Sequence, residues 1–216
     1  MARTEQRILV TDDERDIVEI ITGMLERSGY GTLRAYNGAE CLEKARREHP
    51  DLIFLDIMME HMDGWEVAQA IKGDPAIKDT PLIMVTAKPL TLEDVRDRAG
   101  LIENYIMKPV SAATLREAID EVFQARTRIE RTLAMAQKSG VSREIIDDLK
   151  DRYTRLCGQT DRNRKLLTLL AQIYTEKKIQ DNPAWRNMMA SLRKGLEYQE
   201  DELQRLEHIL TTPRKS

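Results

Sequence analysis

Short apolar runs that each end in a charge are what most constrain this chain. Ile8-Leu9-Val10 runs through Thr11 into the pair Asp12-Asp13, Leu52-Ile53-Phe54-Leu55 into Asp56, and Tyr105-Ile106-Met107 into Lys108-Pro109. Runs of this length, bounded by polar or Gly/Pro residues, suit buried strands. They recur roughly 45 to 50 residues apart, which leaves room for the crossovers that parallel strands require. In an open parallel sheet, ligands collect outside the carboxyl ends of the strands, so the charges would meet in one shallow pocket. Three carboxylates facing one another repel unless a cation lies between them, and magnesium takes oxygen ligands while keeping some of its waters. A lysine at the rim adds a mobile point charge suited to a phosphoryl group. Such a pocket implies phosphorylation of a carboxylate.

The rest of the first 125 residues supports an alternating α/β chain. Further strand-length runs lie at 82–86 and, more weakly, at 31–36, beside those at 7–10, 51–56 and 104–107. Between them, Ile17, Ile20, Ile21, Met24 and Leu25 follow a 3.6-residue period, as do Ala39, Leu42 and Ala45, then Trp65, Ala68 and Ile71. Gly29, Asn37-Gly38, Pro50, Gly64, Gly73 and Asp74-Pro75 punctuate the elements. Asp12 could also cap the first helix, since acidic residues suit the positive end of a helix.

The same stretches resemble the response-regulator receiver family of two-component signalling. The likeness rests on Ile8-Leu9-Val10-Thr11-Asp12-Asp13-Glu14, on Asp51 through Met59 with Met62-Asp63-Gly64, on Pro81 through Ala87, and on Tyr105-Ile106-Met107-Lys108-Pro109. It implies a flavodoxin-like, doubly wound, five-stranded parallel sheet of order 2-1-3-4-5. It implies Asp56 as phosphoacceptor, served by a histidine kinase or a small phosphodonor. Mg2+ would be held by Asp12, Asp13, Asp56 and the backbone carbonyl of Met58, while Lys108 would pair with the phosphoryl oxygen. Thr86 and Tyr105 would form the switch, and no enzymatic turnover beyond self-phosphorylation and dephosphorylation is implied. Two departures stand out. The family usually has proline after Met59 where this chain has Glu60-His61, and the fourth helix, near 92–99, is short and polar.

Charge divides the 216 residues in two. Residues 1–125 carry 15 Lys and Arg against 24 Asp and Glu, a balance of −9; residues 126–216 carry 19 against 13, or +6. Such asymmetry suggests a receiver over 1–125 and a helical segment over 126–216 with different partners. No apolar stretch approaches the roughly 20 residues that span a bilayer, and Met1 to Arg7 lack the apolar core of a signal peptide. A cytoplasmic protein with no membrane partner is expected, with Cys41 and Cys157 as free thiols.

From Ser111 the pattern is helical to the end. Ser111 can cap a helix striped by Leu115, Ile119, Val122, Ile129 and Leu133, running on from the receiver to about Lys138. Ser139-Gly140 breaks it and Ser142 can cap the next. Ile146, Leu149, Tyr153, Leu156, Thr160, Asn163, Leu167, Leu170 and Tyr174 then recur at three- and four-residue steps. After Asn182-Pro183, so do Trp185, Met189, Leu192, Leu196, Gln199, Leu203, Leu206 and Leu210. This is the signature of a helical bundle or coiled-coil seam, in which Thr160, Asn163 and Gln199 could specify register. Short breaks between long helices favour antiparallel neighbours. The leading expectation is a segment that binds a protein partner or self-associates as a dimer under control of the receiver. The rival is a transcription or antitermination regulator whose basic clusters, Arg162-Asn163-Arg164-Lys165 and Lys177-Lys178, bind DNA or RNA. His208 lacks the lysine and glycine expected after a phosphotransfer histidine.

Overall fold

A computed structural model describes residues 6–212. Residues 1–5, on which much of the signal-peptide reading rests, lie outside that range. The chain divides into two compact units, Met1–Asp120 and Glu121–Ser216.

In the first unit, five strands form one parallel sheet: β1 Arg7–Thr11, β2 Gly31–Ala35, β3 Leu52–Leu55, β4 Leu82–Thr86 and β5 Asn104–Met107. Their order is β2-β1-β3-β4-β5, the doubly wound arrangement expected. Ile8 to Val10, all of β3 and all of β4 are buried, as strands covered on both faces must be. Register sets up the site. Thr11 pairs with Leu55, Leu55 with Met84 and Thr86 with Met107, so the residues that follow β1, β3 and β5 emerge on one edge.

Three helices follow the first three strands: α1 Arg15–Arg27, α2 Gly38–Glu48 and α3 Gly64–Gly73. Asn37 caps α2 by accepting from Glu40 N at 2.8 Å. Asp63 and Glu66 form a reciprocal capping box on α3. Helix α1 faces the sheet through Val18, Ile21, Thr22 and Leu25, whereas Ile20 is 51% exposed. The buried stripe is thus rotated from the one expected, because Thr22 satisfies its hydroxyl on Val18 O at 2.8 Å and can be buried. Asp12 does not cap α1 either. Glu14 occupies the cap position, and Asp12 Oδ1 accepts from Glu14 N at 3.1 Å two residues on.

The fourth helix departs from a regular α-helix. It is π-helical at Asp94–Arg98 and 3-10 at Ala99–Leu101. Asp94 is turned inward and buried, its carboxylate accepting from Thr91 N at 3.0 Å, Thr91 Oγ1 at 2.8 Å and Arg98 Nη1 at 3.2 Å. By Ile102 the backbone is extended again, so a few residues hold the whole element.

Helix α4 covers Ala112–Lys138 and starts where Ser111 Oγ accepts from Thr114 N. Within the second unit come α5 Arg143–Ile173, a short α6 Glu176–Gln180 and α7 Pro183–Thr211. Cross-helix pairs give their directions. Tyr153 meets Glu207, Asn163 meets Gln199 and Tyr174 meets Trp185, so α5 and α7 run antiparallel. Likewise Thr132 meets Tyr153 and Arg128 meets Asp161, setting the C-terminal half of α4 antiparallel to α5. The core holds Ala136, Ile146, Tyr153, Cys157, Leu206 and Leu210, with Ile129 and Leu133 packed on it. Among the described residues, no helix is long and apolar enough to cross a membrane.

Candidate functional site

Asp12 and Asp13 leave β1, Asp56 leaves β3 and Lys108 leaves β5, and all four meet at the carboxyl edge of the sheet. Asp12 and Asp56 are almost wholly buried, and Asp13 lies at the rim. One carboxylate oxygen from each of Asp12, Asp13 and Asp56 lies within 4.8 Å of the others. Lys108 Nζ stands 2.6 Å from Asp12 Oδ2 and 3.3 Å from Asp56 Oδ1. The peptide bond that follows, Lys108-Pro109, is cis.

The two oxygens of Asp56 differ. Oδ2 accepts from Met58 N at 2.8 Å, which fixes the plane of the carboxylate. Oδ1 is buried and has no hydrogen bond, with the lysine ammonium 3.3 Å away as its ion-pair partner. A buried anionic oxygen in that state costs free energy unless a further cation or donor completes it. Three hard oxygen donors, one from each carboxylate, converge at the same edge and fit a small divalent cation.

Burial and charge pull the ionisation of Asp12 and Lys108 in opposing directions. Burial raises the pKa of Asp12 above its ordinary 3.8, against the hydrogen bond and charge of Lys108, and the charge of Asp56 raises it further. For Lys108, burial works to lower the value. The hydrogen bond it donates to Asp12 and the charges of Asp56 and Asp12 outweigh burial and hold it above 10.5. The lysine therefore stays charged, and Asp12 bears the electrostatic cost.

Thr86 and Tyr105 lie beside this edge, joined through one residue. Thr86 Oγ1 accepts from Lys88 N at 3.2 Å, and the hydroxyl of Tyr105 donates to Lys88 O. Thr86 is fully buried and Tyr105 nearly so, with its ring turned inward. Met58 presents an exposed side chain, so only its backbone serves the site.

Sequence reasoning about side chains missed two backbone contributions. A Cβ on Gly64 would lie 2.1 Å from the carbonyl oxygen of Asp56 and 2.8 Å from Ile57 Cα, so α3 can begin here only with glycine. Gly64 N in turn donates to Ile57 O at 2.9 Å. The signal was a glycine directly after the capping Asp63. The other is the amide of Glu60, which donates to Asp13 Oδ2 at 3.2 Å. The departure from proline at this position was the only hint.

Residues 8–120 match the family model described as the response regulator receiver domain. The chain belongs to the response regulator receiver family. Residues 125–214 match a second model, described as Metanogen output domain 2. The polar-differentiation response regulator of Brucella ovis is 36% identical over 112 residues, covering 52% of this chain and 91% of that protein. Among solved structures, a receiver domain protein of Methanospirillum hungatei is 31% identical with a TM-score of 0.52, covering 58% of this chain and 98% of its own. Chemotaxis protein CheY4 of Vibrio cholerae is 27% identical with a TM-score of 0.52, covering 55% and 99%. Phosphorylation and Mg2+ binding in an acidic pocket are typical of receivers in two-component systems, and Asp12, Asp13 and Asp56 form an acidic cluster here.

Proposed function

We propose that this receiver accepts a phosphoryl group on Asp56 from a histidine kinase and thereby controls its helical segment. The observation that carries this reading is Asp56 itself: one oxygen tied to Met58 N, the other buried without a hydrogen bond beside a charged lysine. That oxygen would attack phosphorus. A phosphorus–oxygen bond forms as the bond to the donor's histidine nitrogen breaks, and the nitrogen keeps the electron pair. Asp12, Asp13, Asp56 and the Met58 carbonyl would hold Mg2+, which when bound neutralises charge on the transferring oxygens. Lys108, kept protonated, would then pair with a phosphoryl oxygen, and Thr86 would donate its hydroxyl to another. Leaving Lys88 N frees Thr86, and the Lys88 backbone is also where Tyr105 is tied. Phosphorylation adds roughly −1.5 to −2 charge, enough to bias a two-state element.

For output, the observations favour protein recognition or dimerisation over nucleic-acid binding. The basic cluster is largely engaged in pairs within the second unit: Asn163 Nδ2 donates to Gln199 Oε1, Arg164 pairs with Glu200 and Asp161, and Lys165 pairs with Glu121. Lys178 lies over the ring of Tyr174. Helix α4 carries residues on both sides of the unit boundary and is our choice for the transmitting element, with Leu115 and Ile119 serving the receiver and Ile129 and Leu133 the bundle.

Acetyl phosphate with Mg2+ should add one phosphate to the wild-type chain and none to Asp56→Asn. Modification that survives the substitution, or proceeds fully in excess chelator, would refute the reading. Salt-dependent binding of generic DNA or RNA with a slope of several phosphates would favour the nucleic-acid alternative.

A further inference from the structure

We infer that the backbone N–H of Glu60 is a positioning group for the cation site, holding Asp13 in the orientation that magnesium needs. This rests on the reading of Asp13 as a ligand, and it concerns what the connection after β3 does that its side chains do not reveal.

Both backbone polar groups of Glu60 are engaged. Its carbonyl accepts from Met62 N at 2.8 Å, closing a three-residue turn centred on His61, whose φ is +65°. A γ-turn of that hand is rare and strained for a residue with a side chain, so surrounding bonds must hold it. They do. Gly64 N on Ile57 O closes the connection at one end, and Glu60 N on Asp13 Oδ2 ties its tip across 47 residues of sequence. With its carbonyl drawn toward Met62, the amide of Glu60 faces the pocket.

The consequence falls on Asp13, the most exposed of the three carboxylates. Asp12 is restrained by Lys108 and Glu14 N, and Asp56 by Met58 N. Asp13 hangs at the rim, where a free carboxylate would sample several rotamers and be repelled by its two neighbours. Giving one oxygen to Glu60 N leaves the group turned so that the three carboxylates still converge within 4.8 Å. Donors to metal-bound carboxylates act in this way, fixing the ligand before the ion arrives. Proline at position 60 has no N–H to give, so this restraint is peculiar to a chain with another residue there. The Glu60 side chain plays no part in it.

Calorimetric titration of the full chain with magnesium alone separates amide from side chain. Glu60→Ala keeps the N–H and should bind within about twofold of wild type, whereas Glu60→Pro should bind ~10-fold more weakly. Equal affinity of Glu60→Pro and wild type, or equal weakening by proline and alanine, would overturn the inference. Asp13→Ala separates this inference from the reading beneath it. Loss of magnesium there with normal binding by Glu60→Pro sinks the amide role alone, while normal binding by Asp13→Ala sinks the ligand assignment as well. Should the proline variant fail to fold, amide exchange decides. The Glu60 amide should exchange at least ~10-fold faster in Asp13→Ala than in wild type, as for loss of a protecting hydrogen bond, and equal rates would overturn the proposal.

Discussion

The two units handle polar groups in opposite ways. The receiver gathers three carboxylates and one lysine at a single edge and leaves a buried oxygen of Asp56 without a hydrogen bond. The bundle places its inner polar groups in matched sets: Tyr153 with Thr132 and Glu207, and Asn163 with Gln199. Where every donor meets an acceptor, polarity serves to define register. Where the ledger is left open, something must arrive to close it. The contrast supports the proposal that places chemistry at the edge of the first unit.

The sharpest way to break this comparison is Gly64→Ala. A methyl group 2.1 Å from the Asp56 carbonyl must displace the connection or helix α3, costing about 3 kcal/mol. The midpoint of urea unfolding should fall for the receiver, and phosphorylation by acetyl phosphate should fall with it. Tyr153→Phe probes the other side. It strands Thr132 and Glu207, which share the buried hydroxyl, and should cost about 1–2 kcal/mol without changing the rate of phosphorylation.

Smaller again, and of opposite sign, is Asp12→Asn in chelator. With its pKa raised by burial, the ionised carboxylate costs the folded state free energy at neutral pH. The neutral amide removes that cost, and Lys108 still has Asp56 at 3.3 Å. Thermal stability should rise while magnesium affinity collapses. The sign fixes the pH dependence too. A group whose folded pKa exceeds the unfolded value makes the metal-free protein gain stability as pH falls through the folded value, and the gain is complete below about the ordinary 3.8. Asp12→Asn should lack that component when melting is followed against pH. Least of all should be Arg164→Ala, which removes a half-exposed pair with Glu200 and should cost below about 0.5 kcal/mol. A larger loss would mean that the bundle's surface pairs carry more of its register than its core does.

Much of this was legible from sequence for a simple reason. Strand ends were visible because a buried parallel strand is a short apolar run, and the charge that ends it marks the edge where ligands gather. Asp12, Asp13, Asp56 and Lys108 needed nothing more. The seam of α5 and α7 was visible because a repeat kept over many turns cannot hide, and Asn163 and Gln199, read there as residues that could specify register, are hydrogen-bonded to each other. What escaped was decided by atoms that residue types do not describe. Ile20 fits the apolar period of α1 yet is exposed, and Thr22 can be buried once its hydroxyl bonds to its own helix. The fourth helix depended on where Asp94 would find its partners. Glu60 drew notice for standing where the family usually has proline, whereas its contribution is an amide that nearly every residue possesses.

The tight seat of Gly64 against Asp56 has a consequence for how such a chain can change over generations. The seven residues from Ile57 to Asp63 are enclosed between a backbone contact that admits no added atom and the Gly64 to Ile57 bond. Point replacements within that stretch keep the closure, as Glu60 and His61 illustrate. An insertion or deletion of one residue would move the glycine off the carbonyl and set a Cβ-bearing neighbour upon it. Among descendants of this gene, the letters between Asp56 and Gly64 should drift while their number stays constant.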